Sequence, residues 1–117
     1  MGNIITRGFA LAVLLTCSVS HAQVAPGAVW IAVRSAAEFA EGHVPGAQNI
    51  PHTELAARIA ELEVARARDV VVYCRSGVRA AQALTVLQAA GFKRLFHLQG
   101  DYQRWAEAGR PVATRPQ

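Results

Sequence analysis

Short strand-like runs and helix-like stretches alternate along the chain. The strand-like runs are residues 29–33, 48–50, 70–73 and 94–98, and the first and third of them are apolar throughout. Uniformly apolar runs are typical of parallel strands that are covered on both faces. A helix-like stretch follows each run, so the pattern predicts an α/β fold, with a small parallel sheet flanked by helices on both faces.

Capping residues and glycines mark the ends of the helices. Ser35 and Glu38 have the spacing of a capping box, which predicts a short helix that ends at Gly42. The polar residues 66–69 are expected to connect the second helix to the third strand. That second helix is predicted to begin at about Thr53, with Leu55, Ile59 and Leu62 on one face. A third helix is predicted from about Arg79 to Ala90, and a fourth from Tyr102 to Ala108.

The first 22 residues have the pattern of an export signal. The first eight residues include Arg7 and no acidic residue, and the apolar run 9–15 follows them. Ser20-His21-Ala22 then places small residues at positions −3 and −1 of a cleavage site. The apolar run is shorter than the roughly 20 residues that span a bilayer. We therefore expect a signal peptide at 1–22, a mature domain at 23–117, and a periplasmic or secreted protein without stable membrane insertion. A lipoprotein signal ending at Cys17 is the alternative, disfavoured by Thr16 directly before the cysteine.

Composition narrows the possibilities further. A chain of 117 residues has room for one domain, and 52% hydrophobic residues suffice for its core. The 12 basic and 8 acidic residues are scattered, so nucleic-acid binding is not expected. Of the two cysteines, only Cys74 lies outside the predicted signal, so no internal disulfide is expected. A lone thiol in an oxidising compartment is at risk of oxidation, which favours a functional role for it.

The run from Val70 to Ala81 carries the candidate chemistry. Cys74 stands where the most apolar strand becomes a polar loop, and a helix begins just beyond it. The amino-terminal end of a helix presents unpaired N–H groups and about half a positive charge, which should hold the thiol partly as a thiolate. Arg75 and Arg79 add two positive charges at the same place. The pattern favours a nucleophile that meets a small anion, and it requires the thiol to reach solvent and the loop amides to point at it.

The chain resembles the single-domain rhodaneses, which are small exported thiosulfate sulfurtransferases. The resemblance covers nearly the whole predicted mature chain and implies the rhodanese-like three-layer fold. The matching segments, in order and at the family spacing, are Val33-Arg34-Ser35 with Glu38-Phe39, the run from Gly42 to Pro51, the run from Val72 to Ala80, Gly91-Phe92, and Leu98-Gln99-Gly100 with Trp105.

The resemblance implies a reaction and the residues that carry it out. The Cys74 thiolate would attack the sulfane sulfur of a small anionic donor such as thiosulfate, sulfite would leave, and a thiol or cyanide would collect the sulfur from the Cys74 persulfide. The backbone N–H groups of the loop would bind the donor. No metal or organic cofactor is expected, and we expect a monomer. The donor-binding residues would be Arg75, Ser76, Gly77, Val78 and Arg79.

Three other functions fit the same pattern less well. A module that carries a persulfide to a partner without turning over thiosulfate differs only in its acceptor, which no residue pattern reveals. A silent adaptor is disfavoured by the intact Cys74 and its loop. A phosphatase is disfavoured because of the length of the loop. Four residues separate Cys74 from Arg79, and resemblance to the related dual-specificity phosphatases would require a loop that is one residue longer.

Several side chains near the loop allow more than one interpretation. Arg34 is expected to pair with Glu38, and Ser76 has two open roles, donating to a bound anion or capping the helix. His43, His52 and His97 lack the spacing of metal ligands and are expected to be structural. Two residues depart from the rhodanese pattern: Ala32 replaces a usual aspartate, which puts local polar bracing in doubt, and Asp101 replaces a second glycine, which suggests a less permissive turn or a carboxylate close to the pocket.

Overall fold

The computed structural model describes residues 17–115, which alternate between strands and helices. Two 3₁₀ helices, His21–Gln23 and Ala56–Ala67, lie between these elements. The strands are β1 (Cys17–Val19), β2 (Val29–Ala32), β3 (Gln48–Asn49), β4 (Val70–Tyr73) and β5 (Leu95–Leu98), and the α-helices are α1 (Ala36–Glu41), α2 (Val78–Ala89) and α3 (Asp101–Glu107).

The strands of the described residues form one sheet in the order β1-β5-β4-β2-β3, and every neighbouring pair is parallel. β4 lies in the middle, with Val71 opposite Trp30 of β2 on one side and opposite Phe96 of β5 on the other. The loop after β4 therefore starts at the centre of the carboxyl edge, where ligands bind in open parallel sheets. This arrangement confirms the predicted α/β fold with its parallel sheet.

β4 divides its side chains between two buried clusters, one on each face of the sheet. Val70, Val72 and Cys74 belong to the cluster that includes residues of α2 and the long 3₁₀ helix, whereas Val71 and Tyr73 belong to the cluster on the other face. That second cluster includes Phe39 of α1 and Trp105 of α3. Both faces are covered, which explains why the sequence of β4 is apolar at consecutive positions.

The first α-helix begins and ends as its sequence predicts. The Glu38 N–H donates to Ser35 Oγ at 3.2 Å, and the Ser35 N–H donates to Glu38 Oε1 at 2.9 Å. This reciprocal pair is the predicted capping box. Gly42 follows the last helical residue.

The second predicted helix is a 3₁₀ helix, and it continues through Ala67 into the stretch that the sequence predicted to be a connection. Side chains three residues apart lie above one another in a 3₁₀ helix. The ion pairs Arg58–Glu61, at 2.9 Å, and Arg66–Glu63, at 2.8 Å, both have this spacing. Leu62 and Ala65, which are buried, have it as well.

β1 lies inside the segment that was predicted to be the signal peptide. It forms the edge of the sheet, with Cys17 opposite Phe96 and Val19 opposite Leu98 of β5. Residues 1–16, which include the apolar run of the predicted signal, lie outside the described residues. The boundary after Ala22 stays a prediction, and cleavage there would remove β1 from the sheet. Within residues 17–115, no helix has the length and apolar character needed to cross a membrane.

Candidate active site

The loop after β4 bends around the Cys74 sulfur. Gly77, with φ of 123°, precedes the first residue of α2, and its N–H donates to Cys74 Sγ at 3.0 Å. Residues with a side chain rarely adopt such a φ, so glycine is favoured here by the backbone itself. The Cys74 sulfur therefore lies at the amino-terminal end of α2, where the helix dipole favours negative charge.

One expectation about Cys74 is wrong: the thiol does not face solvent. Cys74 is only 1% exposed and packs within the buried cluster on the α2 face. Of the loop amides expected around the sulfur, the Gly77 N–H makes the hydrogen bond. The side chains of Arg75 and Ser76 above it are exposed. The sulfur is thus covered by the loop rather than presented by it.

Arg79 projects from the first turn of α2 and is held by a carboxylate. Its Nη1 and Nη2 donate to the two oxygens of Glu38 at 2.8 and 3.1 Å. This charge-assisted pair lowers the pKa of Glu38 to about 2, chiefly through the Arg79 hydrogen bond. It also raises the pKa of Arg79, with a smaller contribution from Cys74. The Arg79 guanidinium is therefore paired with a fixed negative charge, and the charge of Cys74 also acts on it.

The predicted ion pair between Arg34 and Glu38 is wrong, since Glu38 binds Arg79. Arg34 is 5% exposed, donates from Nη1 to the Gly42 carbonyl at 2.6 Å, and stacks over the Tyr102 ring at 4.2 Å. The two arginines occupy different positions because Arg34 lies two residues after the end of β2, whereas Arg79 faces Glu38 from α2. Sequence spacing within one turn suggested a local pair, but the long-range partner has the better geometry.

The two departures from the rhodanese pattern have clear structural consequences. Ala32 is fully buried, and Asn49 Nδ2 donates to the carbonyls of Ala32 and Arg34 at 3.1 and 2.9 Å. Asn49 therefore supplies polar bracing at this strand end. Asp101 has φ of 52° and is 3% exposed, and its Oδ1 accepts the Cys74 N–H at 3.0 Å. Both interpretations of Asp101 apply, because the turn is strained and the carboxylate lies beside the cysteine.

Other predicted residues of the loop occupy its outer surface. Val78 is 70% exposed at the start of α2. The cap of α2 is Gly77, without a side-chain hydrogen bond, so the structure gives Ser76 no capping role. A cleft of about 400 Å³ opens beside the loop, and its lining includes Arg34, Glu38, Arg75, Tyr102 and Glu107. The cleft thus presents both signs of charge next to the cysteine loop.

The histidines take different positions. His43 is fully buried, with Nδ1 2.7 Å from the Phe39 carbonyl and its ring stacked on the Phe39 ring at 3.6 Å. His97 on β5 contacts Asp101, a partner that the sequence analysis missed. The two residues are four positions apart across the turn at Gly100, a spacing that does not by itself show that they meet. Within the described residues, no three His, Cys, Asp or Glu side chains are grouped to hold a metal ion.

Fold and loop together define a class of protein: α/β domains with a cysteine at the carboxyl edge of a parallel sheet, under a loop that leads into a helix. The chain belongs to the rhodanese-like domain family, whose sequence model matches residues 19–108. That match includes β2 to β5 and the whole Cys74 loop.

Individual relatives agree with this assignment. The chain is similar to a sulfurtransferase of Allochromatium vinosum, at 38% identity over 70% of this chain and 75% of the relative. It is also similar to the chloroplastic thiosulfate sulfurtransferase 16 of Arabidopsis thaliana, at 29% identity over 84% of this chain and 90% of that protein. The crystal structure of a rhodanese-related protein of Thermoplasma volcanium has a TM-score of 0.73 at 29% identity, over 82% of this chain and 96% of that one. Family and relatives support sulfur transfer as the general chemistry.

Proposed function

We propose that this protein transfers the sulfane sulfur of thiosulfate, or of a similar anionic donor, through a Cys74 persulfide to a thiol or cyanide. The observation that carries the proposal is the hydrogen bond from the Gly77 N–H to Cys74 Sγ at the start of α2. A donor group fixed at this atom stabilises negative charge on sulfur, which is the charge that a thiolate nucleophile needs.

The reaction balances without a cofactor or an external oxidant. The Cys74 thiolate attacks the outer sulfur of thiosulfate, the S–S bond of thiosulfate breaks, and sulfite leaves with the electron pair of that bond. The acceptor thiolate or cyanide then attacks the outer sulfur of the persulfide, and Cys74 returns to the thiolate. No net oxidation of the protein occurs, so the cycle repeats with donor and acceptor alone.

Charge at the loop supports binding of an anionic donor. The helix dipole of α2, the Arg79 guanidinium and the exposed Arg75 all contribute positive charge around Cys74. Glu38 balances part of the Arg79 charge, so Arg79 acts in the proposal as a fixed element of the site rather than as a free ligand. Ser76 and Val78, at the rim, would contribute backbone N–H groups to the donor.

Burial of Cys74 sets a requirement on the mechanism. At 1% exposure the sulfur cannot meet a donor unless the loop moves away from it. The loop segment Arg75–Gly77 lies between β4 and α2, and Arg75 and Ser76 are exposed, so it is the part that would open. Opening at Arg75 would break the hydrogen bond that its carbonyl accepts from the Gln103 N–H at 3.0 Å. Burial also favours the alternative of a persulfide carrier, because a covered persulfide is shielded from other thiols in solution.

The compartment follows from the predicted signal peptide. An exported protein, periplasmic or secreted, would carry Cys74 as its remaining cysteine after cleavage behind Ala22. The lipoprotein alternative would instead retain Cys17 as an acylated first residue. Both retain Cys74 and its loop, whereas cleavage behind Ala22 would remove Ser18 of β1, which pairs with His97 of β5.

The decisive experiment loads the purified protein with thiosulfate and measures its intact mass, then adds cyanide and assays thiocyanate. We expect a gain of one sulfur atom that maps to Cys74, followed by turnover. Cys74→Ser should abolish both, whereas Cys17→Ser in the uncleaved chain, the matched control on exposed β1, should abolish neither. Loading without turnover would favour the carrier, and full activity of Cys74→Ser would refute the proposal.

A further inference from the structure

A buried carboxylate lies directly beneath the Cys74 loop, where the rhodanese pattern usually has a glycine. Asp101 is 3% exposed, and its Oδ1 accepts the N–H of Cys74 at 3.0 Å. A β-carbon placed on Gly77 would lie 3.1 Å from Asp101 Oδ2. The carboxylate therefore binds the N–H of Cys74 and leaves no free space for a side chain at Gly77, the residue that donates to the sulfur.

His97 is the partner of this carboxylate. Its Nε2 lies 3.0 Å from each oxygen of Asp101. Both partners are acceptors, so Nε2 must carry the hydrogen whether the ring is neutral or cationic. The His97 side chain is 23% exposed, compared with 4% for Asp101, so solvent can exchange a proton with the ring while the carboxylate stays covered.

Backbone strain at Asp101 indicates that this contact has a use. A φ of 52° is uncommon for a residue other than glycine, although aspartate tolerates it better than most. Strain of this kind persists where the surroundings fix it, and it is concentrated at functional sites. Here the surroundings that fix it are the Cys74 N–H and the His97 ring.

We propose that Asp101 is a positioning residue for Cys74 and that His97 sets the net charge beneath the sulfur. This inference rests on the proposed function, because it concerns how that site receives an anionic donor. When His97 is protonated, the pair is neutral, and the positive end of α2 dominates at the sulfur. When His97 loses its proton, an unbalanced carboxylate remains under the loop and repels an anion that approaches Cys74.

Other charged groups around the pair keep their charge between about pH 5 and 8. They are Arg75 on the loop, Arg79 of α2 with its partner Glu38, and Arg104 of α3, next to Gly100. Arginine stays protonated throughout this range, and the pKa of Glu38, at about 2, keeps it ionised. These groups therefore contribute a constant charge to the site in this range.

The test compares an anionic and a neutral alkylating reagent on Cys74. Both iodoacetate and iodoacetamide react with the thiolate, so the ratio of their rates cancels the thiolate fraction and reports the local charge. In the wild type we expect the ratio of the iodoacetate rate to the iodoacetamide rate to fall by about threefold or more once the pH is high enough to deprotonate His97. His97→Gln should keep the ratio low throughout, because glutamine donates to Asp101 without adding charge.

Asp101→Asn should raise the ratio above the wild-type value at each pH, because it removes the negative charge whatever the state of His97. Asparagine tolerates the same backbone and keeps an oxygen for the Cys74 N–H. The matched control is Asp69→Asn, at the other end of β4, which should retain the wild-type profile. A wild-type ratio that does not change with pH, a Cys74 that reacts with neither reagent, or an unchanged profile in His97→Gln would each overturn the inference.

These outcomes are separate from those of the proposed function. The alkylation ratio requires no sulfur transfer. A ratio that changes with pH as expected, without sulfur loading, would therefore refute the proposed sulfurtransferase function and still support the role of His97 and Asp101. Sulfur loading with a ratio independent of pH would do the reverse. His97→Gln leaves the Asp101 backbone in place, so it remains informative if Asp101→Asn fails to fold.

Discussion

The ion pair between Glu38 and Arg79 links two helices at the edge of the site, and its contribution to stability can be measured with Glu38→Gln. Glutamine retains an oxygen for the capping box and removes the charge. A lowering of the Glu38 pKa from 4.5 to about 2 corresponds to about 3 kcal/mol if all of it stabilises the fold. The side chains of Arg79 and Glu38 are 27% and 28% exposed, so water screens the pair and the expected loss is about 1–2 kcal/mol.

The pH dependence of this loss distinguishes the ion pair from simple packing. The folded-state pKa lies below the unfolded one, so the contribution of Glu38 is complete above about pH 4.5 and disappears as the pH falls toward 2. Urea unfolding of both proteins at several pH values should show the full difference at pH 7 and less than half of it at about pH 3. Glu61→Gln, in a pair on the exposed surface, should change stability much less. Equal stability of wild type and Glu38→Gln at pH 7 would refute the reasoning, as would a difference that persists unchanged at pH 3.

Two further changes test the loop and the sheet edge. Gly77→Ala should lower the free energy of unfolding by about 1–2 kcal/mol and slow sulfur loading, because the φ of Gly77 is 123° and the new β-carbon would press on Asp101. Gly46→Ala is the control for backbone strain, since Gly46 has a positive φ but no atom within 4 Å of the new β-carbon. Equal stability and equal loading in both variants would contradict the role given to the contact between Gly77 and Asp101. A chain that begins at Gln23 should be less stable than one that begins at Cys17 by about 1–3 kcal/mol, since it lacks the pairing of β1 with β5 and the His21 contacts with Trp30 and Trp105. Thermal unfolding followed by tryptophan fluorescence checks this, and identical midpoints would show that β1 contributes nothing.

Most of the fold could be predicted from local patterns, because its helix starts and strands depend on residues that are close together in the sequence. The capping box of Ser35 and Glu38 needs only residues three positions apart in sequence, and both of its hydrogen bonds are present. The apolar run of β4 predicts a strand covered on both sides, and its boundaries are those expected. The parallel sheet follows from alternation and short links, and the structure confirms it.

Differences arose where a distant partner decided the outcome. Glu38 was expected to pair within its own turn, but Arg79, 41 positions away in sequence, approaches both of its oxygens. The exposure of Cys74 was misjudged for a similar reason, since a strand end at the sheet centre is covered by α2 and by its own loop. Position in the chain places Cys74 at the correct edge, but it does not give the depth at which the sulfur lies.

In the candidate site, too, residues with a local signal could be predicted from the sequence, whereas residues that depend on a distant partner could not. Cys74 and Gly77 could be singled out from the loop alone, because the type of residue at each position has a direct chemical reason. The pair His97–Asp101 could not, because the turn at Gly100 must first bring the carboxylate under the loop. The departure from a glycine at position 101 was visible in the sequence, whereas its contact with Cys74 required the coordinates.

Glu38 Oε1 accepts hydrogen bonds from two places at once, the Ser35 N–H that begins α1 and the Arg79 side chain on α2. A displacement of the first turn of α2, such as entry of a donor would demand, is therefore transmitted to the start of α1 through a single oxygen atom. Amide exchange at Glu38, whose N–H is bound to Ser35 Oγ, would then act as a remote gauge of how often the sulfur is uncovered.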